Sequence, residues 1–437
     1  MTLVMPTRVM VVGGGGREHA LAWKLAAEPG VNEVIVAPGS AAIAREPRVR
    51  IADVWPDDAA ALVALAKARA VELVVIGPEA PLAAGVADVL AAAGIAVFGP
   101  TKAAAAIETS KAWCHEIAAA AGVAMATAIA CGSRAETEAA IATIGGPATG
   151  FVVKQDGLAG GKGVTVFDPS ADPVAAAATL LDELFDGAPE RRVVVEERLS
   201  GAEASVIAIC DGRRALAMPA ARDHKRLLDG DRGPNTGGMG AYSPLPDLDE
   251  KAAEAIVQAI HVPILAELAR RGTPFRGFLY AGLMLTAGGP RLLETNVRLG
   301  DPEAEVILPR VAVALGPLLL AAARGQLATS IPTTIPSLPG AAVGIVLAGE
   351  GYPAGSDTGR AIDGLDRAER QALVFHMGTQ RMETGWETAG GRVLTVVGRG
   401  PDTESARQVA ENAADAIHWP GMQRRRDIAW PLVEAIA

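Results

Sequence analysis

Residues 151–164 read FVVKQDGLAGGKGV, from Phe151 to Val164. A β-branched apolar run ends at Lys154 and opens into Gly157, Gly160, Gly161 and Gly163, with Lys162 among them. β-Branched residues favour a strand, and glycines let the backbone that follows approach an anion closely. The stretch therefore predicts a strand feeding a phosphate-handling loop. It is not a Walker loop, because only three residues separate Gly157 from Gly161-Lys162 and Gly163 stands where a Ser or Thr is needed. A plain hairpin with a glycine turn fits this stretch equally well, so its neighbours must decide.

Outward from it, Ala124 to Cys131 and Arg192 to Glu197 read as strands, and Thr137 to Ile144 and Val174 to Leu184 as helices. This α+β unit, about 123–195, has the composition of a lid that closes over a nucleotide and excludes water. Ala103 to Gly122 before it is helical, with Ser110 and Lys111 near its start.

The N-terminal hundred residues alternate strand and helix. Strands are expected at Arg8 to Val12, Glu33 to Ala37, Val71 to Gly77 and Ile95 to Phe98, with a helix at Glu18 to Ala27. Such alternation implies a parallel sheet with its ligand edge at the strands' C-terminal ends, so the turns 13–19, 38–40 and 77–81 should line one crevice. A dinucleotide fold would need glycine at Glu18 and an acid closing the second strand, and neither is present. The turn's backbone N–H groups and Arg17 are expected instead to hold a substrate phosphate. Met1 to Thr7 reads as a disordered extension.

Leu199 to Arg214 reads as strand, turn and strand, and residues 221–244 as a polar, glycine-rich functional loop holding Asp223, His224, Lys225 and Arg226. A long helix, Lys251 to Arg271, precedes the strands Gly277 to Thr286 and Arg291 to Arg298. Alternation puts Glu294, Asn296 and Arg298 on one face of the latter. Oxygen ligands two apart on a rigid strand suit a magnesium ion bridging phosphates, and the arginine beyond them can grip a carboxylate. An exposed polar strand face is the plainer alternative. After a Pro-rich linker from Ile331, strands at Ala342 to Leu347, Ala372 to His376 and Arg392 to Val397 and a helix at Ser405 to Ile417 form a C-terminal domain. Arg424 to Arg426 is read as solvated surface, or as a contact for a substrate phosphate. Among the histidines only His224 has a suggestive setting.

The 437 residues suffice for two to four domains, and a net charge of −10 argues against general nucleic-acid binding. Three isolated cysteines suit a reducing compartment. With no targeting segment or long apolar run, a cytoplasmic protein without membrane association is expected.

Seven motifs, in order, resemble the phosphoribosylamine-glycine ligase (glycinamide ribonucleotide synthetase) family of the ATP-grasp superfamily. They are GGGGREHALAWKL at 13–25, GPEAPL at 77–82, KQDGLAGGKGV at 154–164, DHKR at 223–226, DRGPNTGGMGAYSP at 231–244, GFLYAGLM at 277–284 and NVRLGDPE at 296–303. The family usually has Asn at Gly14 and Ser40, Ala at Gln155 and Phe at Leu299.

The resemblance implies an α/β and α+β multidomain fold: a parallel α/β substrate domain at 1–102, an ATP-grasp region at 103–330 with its lid, and a strand-rich domain at 331–437. It implies that glycine's carboxylate takes the γ-phosphate of ATP and the amine of 5-phosphoribosylamine then displaces phosphate. ATP and Mg2+ or Mn2+ would be required, and a monomer or weak dimer is expected. ATP would be held by Lys111, Lys154, Gly160, Gly161, Lys162, Gly163, Glu196, Glu197, Leu199 and Glu203. Glu294 and Asn296 would hold the metal, and Arg298, Asp223, Lys225 and Gly240 would serve glycine and the acyl phosphate. Gly15, Gly16, Arg17, Glu18, Gly39, Pro78, Glu79, Asp301, Pro302 and Glu303 would bind phosphoribosylamine. Another ATP-grasp ligase, or a nucleotide-binding protein without catalysis, are the rival readings.

Overall fold

A computed structural model describes residues 3–158 and 163–430. Five parallel strands lie in the order Val49–Ile51, Glu33–Pro38, Arg8–Gly13, Leu73–Ile76, Val97–Phe98. Val9 to Val12 and Leu73 to Val75 are fully buried, as strands covered on both faces must be. The strand order reverses between Arg8–Gly13 and Leu73–Ile76, and a crevice opens at the C-terminal ends of such a pair. Gly13 and Gly77 therefore end up side by side. Residues 3–7, expected to be disordered, are instead tied down: Thr7 donates its N–H and Oγ1 to Glu72 at 2.6 and 3.0 Å, and Leu3 and Met5 pack on the core.

The lid forms a separate small core. Its antiparallel sheet runs Ala128–Cys131, Val193–Glu197, Phe151–Gln155, Val164–Phe167, and the helices Arg134–Ile144 and Pro173–Phe185 bury Ile141, Leu181 and Leu184 against Phe151 and Val195. A second antiparallel sheet runs Ala215–Ala217, Ala202–Asp211, Arg276–Thr286, Gly289–Asn296. Here the expected strand, turn and strand are found, with the turn late in the stretch. Ala202–Asp211 is one ten-residue strand, and the chain reverses only at Gly212, whose φ of 97° suits glycine.

Two helices differ from expectation for local reasons. Residues 103–122 break at Ser110, which turns extended and accepts a hydrogen bond from Trp113 N–H, so Lys102–Thr109 and Lys111–Ala120 are separate. The helical run from Glu250 to Arg270 widens into a π turn at Val257–His261, just before Pro263, which has no N–H to continue the ladder. This run is apolar and long enough to span a membrane, but half of its most apolar window is buried inside the fold.

The 221–244 segment is structured, contrary to its reading as a loop. It contains the strands Arg222–Asp223, Arg226–Leu228, Arg232–Asn235 and Gly240–Ser243. The first and last join Ala341–Ala348, Arg392–Gly400 and Leu373–His376 in a five-stranded sheet. A further sheet, Asp357–Ile362, Gly385–Gly390 and Thr379–Met382, was not expected; its polar strands show no clean alternation.

His261, wholly buried in the π turn, and His376 are both pushed down to about 4 by burial. The unfolded imidazole protonates near 6.5, so below that pH the unfolded chain binds more protons. The stability from neutral histidines is complete above pH 6.5 and is lost as pH falls to 4, roughly 3 kcal/mol for each. We expect His261→Gln to lose less stability than the wild type between pH 7 and 5 in urea denaturation; equal losses would refute the assignment.

Candidate active site

The strand Gly289–Asn296 pairs with Arg276–Thr286, with Glu294 opposite Gly282 and Asn296 opposite Tyr280. Thr295 points inward, donating to Ile107 O at 2.9 Å, and Val297 is buried, so Glu294 and Asn296 take the opposite face. A Cβ on Gly282 would lie 3.2 Å from Glu294 Cγ, which explains the glycine facing it. Burial raises the Glu294 carboxyl, but Lys225, Lys154, Lys111 and Arg298 outweigh this and hold it below its usual value. Glu294 is thus an ionised carboxylate, its side chain 32% exposed, facing four cations.

Each cation is positioned by its own partners. Lys154, buried at the end of Phe151–Gln155, donates to Leu293 O at 2.8 Å and lies 2.8 Å from Glu196 Oε2. Glu196 is also 2.9 Å from His115 Nε2, a histidine whose role the sequence reading missed. Lys111, at the start of its helix, donates to Gly157 O at 3.0 Å. Asp156, also missed, clamps that helix to the glycine loop: it accepts from Ser110 Oγ at 3.2 Å and Ala112 N at 3.3 Å. Lys225 lies 2.9 Å from Glu203 Oε2 and 3.9 Å from Glu294 Oε1. Burial pushes the Asp223 carboxyl up, to about 8, against the pull of Lys225.

Arg298 is clasped by two carboxylates. Its Nε donates to Glu79 Oε2 at 3.1 Å, and its Nη2 lies 3.2 Å from Glu108 Oε1. Glu108, not anticipated, also accepts from Val297 N at 2.7 Å. Burial raises Glu79, but Arg298 and Arg17 overcome it and hold the carboxyl at about 2.

The three N-terminal turns do meet. Gly39 N donates to Gly13 O at 3.1 Å, and Arg17 Nη1 donates to Gly77 O at 3.2 Å. Glu18 packs beneath them: a Cβ on Gly77 would lie 2.2 Å from its Oε1, and its Oε2 accepts from Gly15 N at 2.7 Å. Pro78 starts the helix Glu79–Ala84, and a Cβ on Gly16 would lie 2.4 Å from Glu305 Oε1. Asp301 is reached from the C-terminal sheet by Arg392, which donates to Asp301 O at 2.6 Å and Gly237 O at 2.7 Å. Glu303 accepts from Ser205 Oγ at 3.0 Å, and Tyr280 OH lies 2.9 Å from the same hydroxyl.

Gly240 is a sheet residue pressed against Gly344 O and Ile428. Glu197 accepts from Thr127 N at 2.8 Å, and Leu199 lies half-buried just beyond the end of its strand. Gly163 is buried and accepts from Gln155 N; Gly160, Gly161 and Lys162 lie outside the described residues. Ser40 accepts from Ile43 N at 3.3 Å and Leu299 is core.

The sequence matches three family descriptions in register with this layout: Phosphoribosylglycinamide synthetase, N domain over 7–108, ATP-grasp (A) domain over 109–304, and C domain over 342–431. A phosphoribosylamine-glycine ligase of Streptomyces coelicolor is 46% identical over 426 residues, covering 97% of this chain and 98% of the relative. The crystal structure of a phosphoribosylamine-glycine ligase from Thermotoga maritima superposes with a TM-score of 0.78 at 32% identity, covering 96% of this chain and all of that one. The biotin carboxylase domain of Hydrogenobacter thermophilus 2-oxoglutarate carboxylase, solved with MgADP and bicarbonate, shares the fold at 16% identity and a TM-score of 0.67, covering 96% and 92%. With full-length identity of this order and all three domain descriptions in sequence, the chain belongs to the phosphoribosylglycinamide synthetase family, whose central domain is an ATP-grasp.

Proposed function

We propose that this chain joins glycine to 5-phosphoribosylamine, using ATP and passing through glycyl phosphate, to give glycinamide ribonucleotide, ADP and phosphate. The observation that carries this reading is the convergence of Lys111, Lys154, Lys225 and Arg298 on Glu294, beside the crevice of the parallel sheet. Phosphoryl transfer needs positioning and neutralised charge more than a protein nucleophile, and this arrangement supplies both.

Among the described residues, no group of three or more His, Cys, Asp or Glu is arranged as a metal cage. Glu294 and Asn296 nevertheless fit Mg2+ or Mn2+, which accept one or two protein oxygens and take the remainder from phosphates and water. When bound there, the ion would draw charge from the ATP phosphates. Lys154, with one N–H on Leu293 and its ammonium against Glu196, is aimed rather than mobile; Lys111 is held likewise by Gly157. Arg298, fixed by Glu79 and Glu108, retains N–H donors for glycine's carboxylate. Burial keeps the Asp223 carboxyl protonated near neutral pH, so it is suited to donate a hydrogen bond to the acyl phosphate rather than to take up the proton released as the amide forms. We assign the amine substrate to the crevice of Gly15 to Glu18, Gly39, Pro78, Glu79 and Asp301 to Glu303. In this reading the chain divides at 1–102, 103–330 and 331–437, acts in the cytoplasm, and is a monomer or weak dimer.

ADP release from MgATP, with and without glycine and freshly generated 5-phosphoribosylamine, tests the reading. Release requiring both is expected. Release with another acid or amine would overturn the substrates, and none under any combination would leave a nucleotide-binding protein.

A further inference from the structure

We propose that residues 423–430 form a strap that positions the catalytic loop, with Arg425 and Asp427 as positioning residues for Asp223 and Lys225. The proposal rests on the reading that Asp223 and Lys225 face the reacting glycine. Arg425 is neither surface nor a phosphate contact. It is 1% exposed, and four of its N–H bonds are already committed. Nε and Nη2 grip Asp427 at 2.7 and 2.6 Å; Nη1 holds Asp231 Oδ1 at 2.6 Å and Arg226 O at 3.2 Å. A planar fork with this many acceptors fixes the groups around it more than it contributes net stability.

The strap grips the loop at every level. Asp427 Oδ2 also accepts from Gly230 N at 2.8 Å, and Arg426 N donates to Asp229 Oδ1 at 2.8 Å, so the hairpin of Arg226–Leu228 and Arg232–Asn235 is held at its turn. Ala429 N donates to His224 Nε2 at 3.3 Å, between Asp223 and Lys225. Ile428, fully buried, packs on Gly240: a Cβ there would lie 2.8 Å from its Cδ1. The strap itself is anchored by reciprocal 2.9 Å backbone bonds between Gln423 and Ala348. Asp223 and Lys225 thus flank a His224 held by this segment, and Lys225 leads directly into a hairpin held by it, although the segment lies about two hundred residues later. A displacement of about 1 Å in a catalytic group can cost a hundredfold in rate.

The test uses the full-length enzyme. Arg425→Met is expected to lower kcat for glycine-dependent ADP release by ten- to a hundredfold, with MgATP affinity in equilibrium binding changed less than about twofold. Arg425→Lys should recover part of the rate. Asp231→Asn, which removes the charge facing Arg425 and, at 3.8 Å, His224 while leaving a largely exposed side chain of the same shape, provides a variant expected to fold if Arg425→Met does not, and should lower kcat about threefold or more with the same split. A folded variant with unchanged kcat would overturn the proposal, as would parallel losses of kcat and MgATP affinity in Asp231→Asn. Lys225→Met separates this from the underlying reading: if that variant keeps its rate, the placement of Lys225 at the reaction is wrong whatever Arg425 does.

Discussion

Glu294→Ala is expected to lower glycine-dependent ADP release by about a thousandfold or more, with no recovery at raised magnesium. Lys111, Lys154, Lys225 and Arg298 all exert their field on this carboxylate. In the proposed reading, removing it takes away an oxygen ligand for the ion and leaves the field of the four cations uncompensated, although each cation keeps the partners that position it. Electrostatic groups aimed at a reacting centre are commonly worth a hundred- to a thousandfold each, and this residue serves two ends. Glu294→Gln keeps the shape and one oxygen, and should retain more activity than the alanine variant. A Glu294→Ala enzyme with near-normal turnover at low magnesium would remove Glu294 from the site.

Arg298→Met should do its largest damage to folding. The guanidinium lies between Glu79 and Glu108, and without it Glu108 is a buried carboxylate with only Val297 N as partner. Breaking one side of a buried ion cluster typically costs about 3–5 kcal/mol, because the remaining charge stays out of water. Denaturant titration should therefore show a marked loss in Arg298→Met, and Glu108→Gln added to it should recover part of that loss. In the folded fraction glycine use should be impaired more than nucleotide binding. If Arg298→Met were as stable as the wild type and bound ATP poorly instead, the clasp and the glycine assignment would both fail.

Glu294 and Asn296 were legible in the sequence because a strand has a rigid period of two, and Thr295 and Val297 mark the inward face. The glycine turns were legible because glycine is needed wherever Glu18 or another turn comes too close for a side chain. Glu108, Asp156 and Arg392 were not. Each is an ordinary charged residue on a helix, loop or strand, and its importance appears only once a partner far along the chain is brought beside it. The break at Ser110 was readable, since a serine before a helical run caps it, but the alanine-rich flanks suggested one continuous helix. The strands in 221–244 were hidden because Gly240–Ser243, on which Arg222–Asp223 pairs, is completed by Ala341–Ala348, and a polar glycine-rich segment has no periodicity of its own to declare them.

That shared sheet has a consequence for how the protein is made. Gly240–Ser243 leaves the ribosome long before its neighbour Ala341–Ala348, whereas the parallel sheet and the lid have all their strands early and can close while synthesis continues. A nascent chain halted in the linker after Ile331 would thus hold a folded nucleotide lid and an unfinished reaction loop.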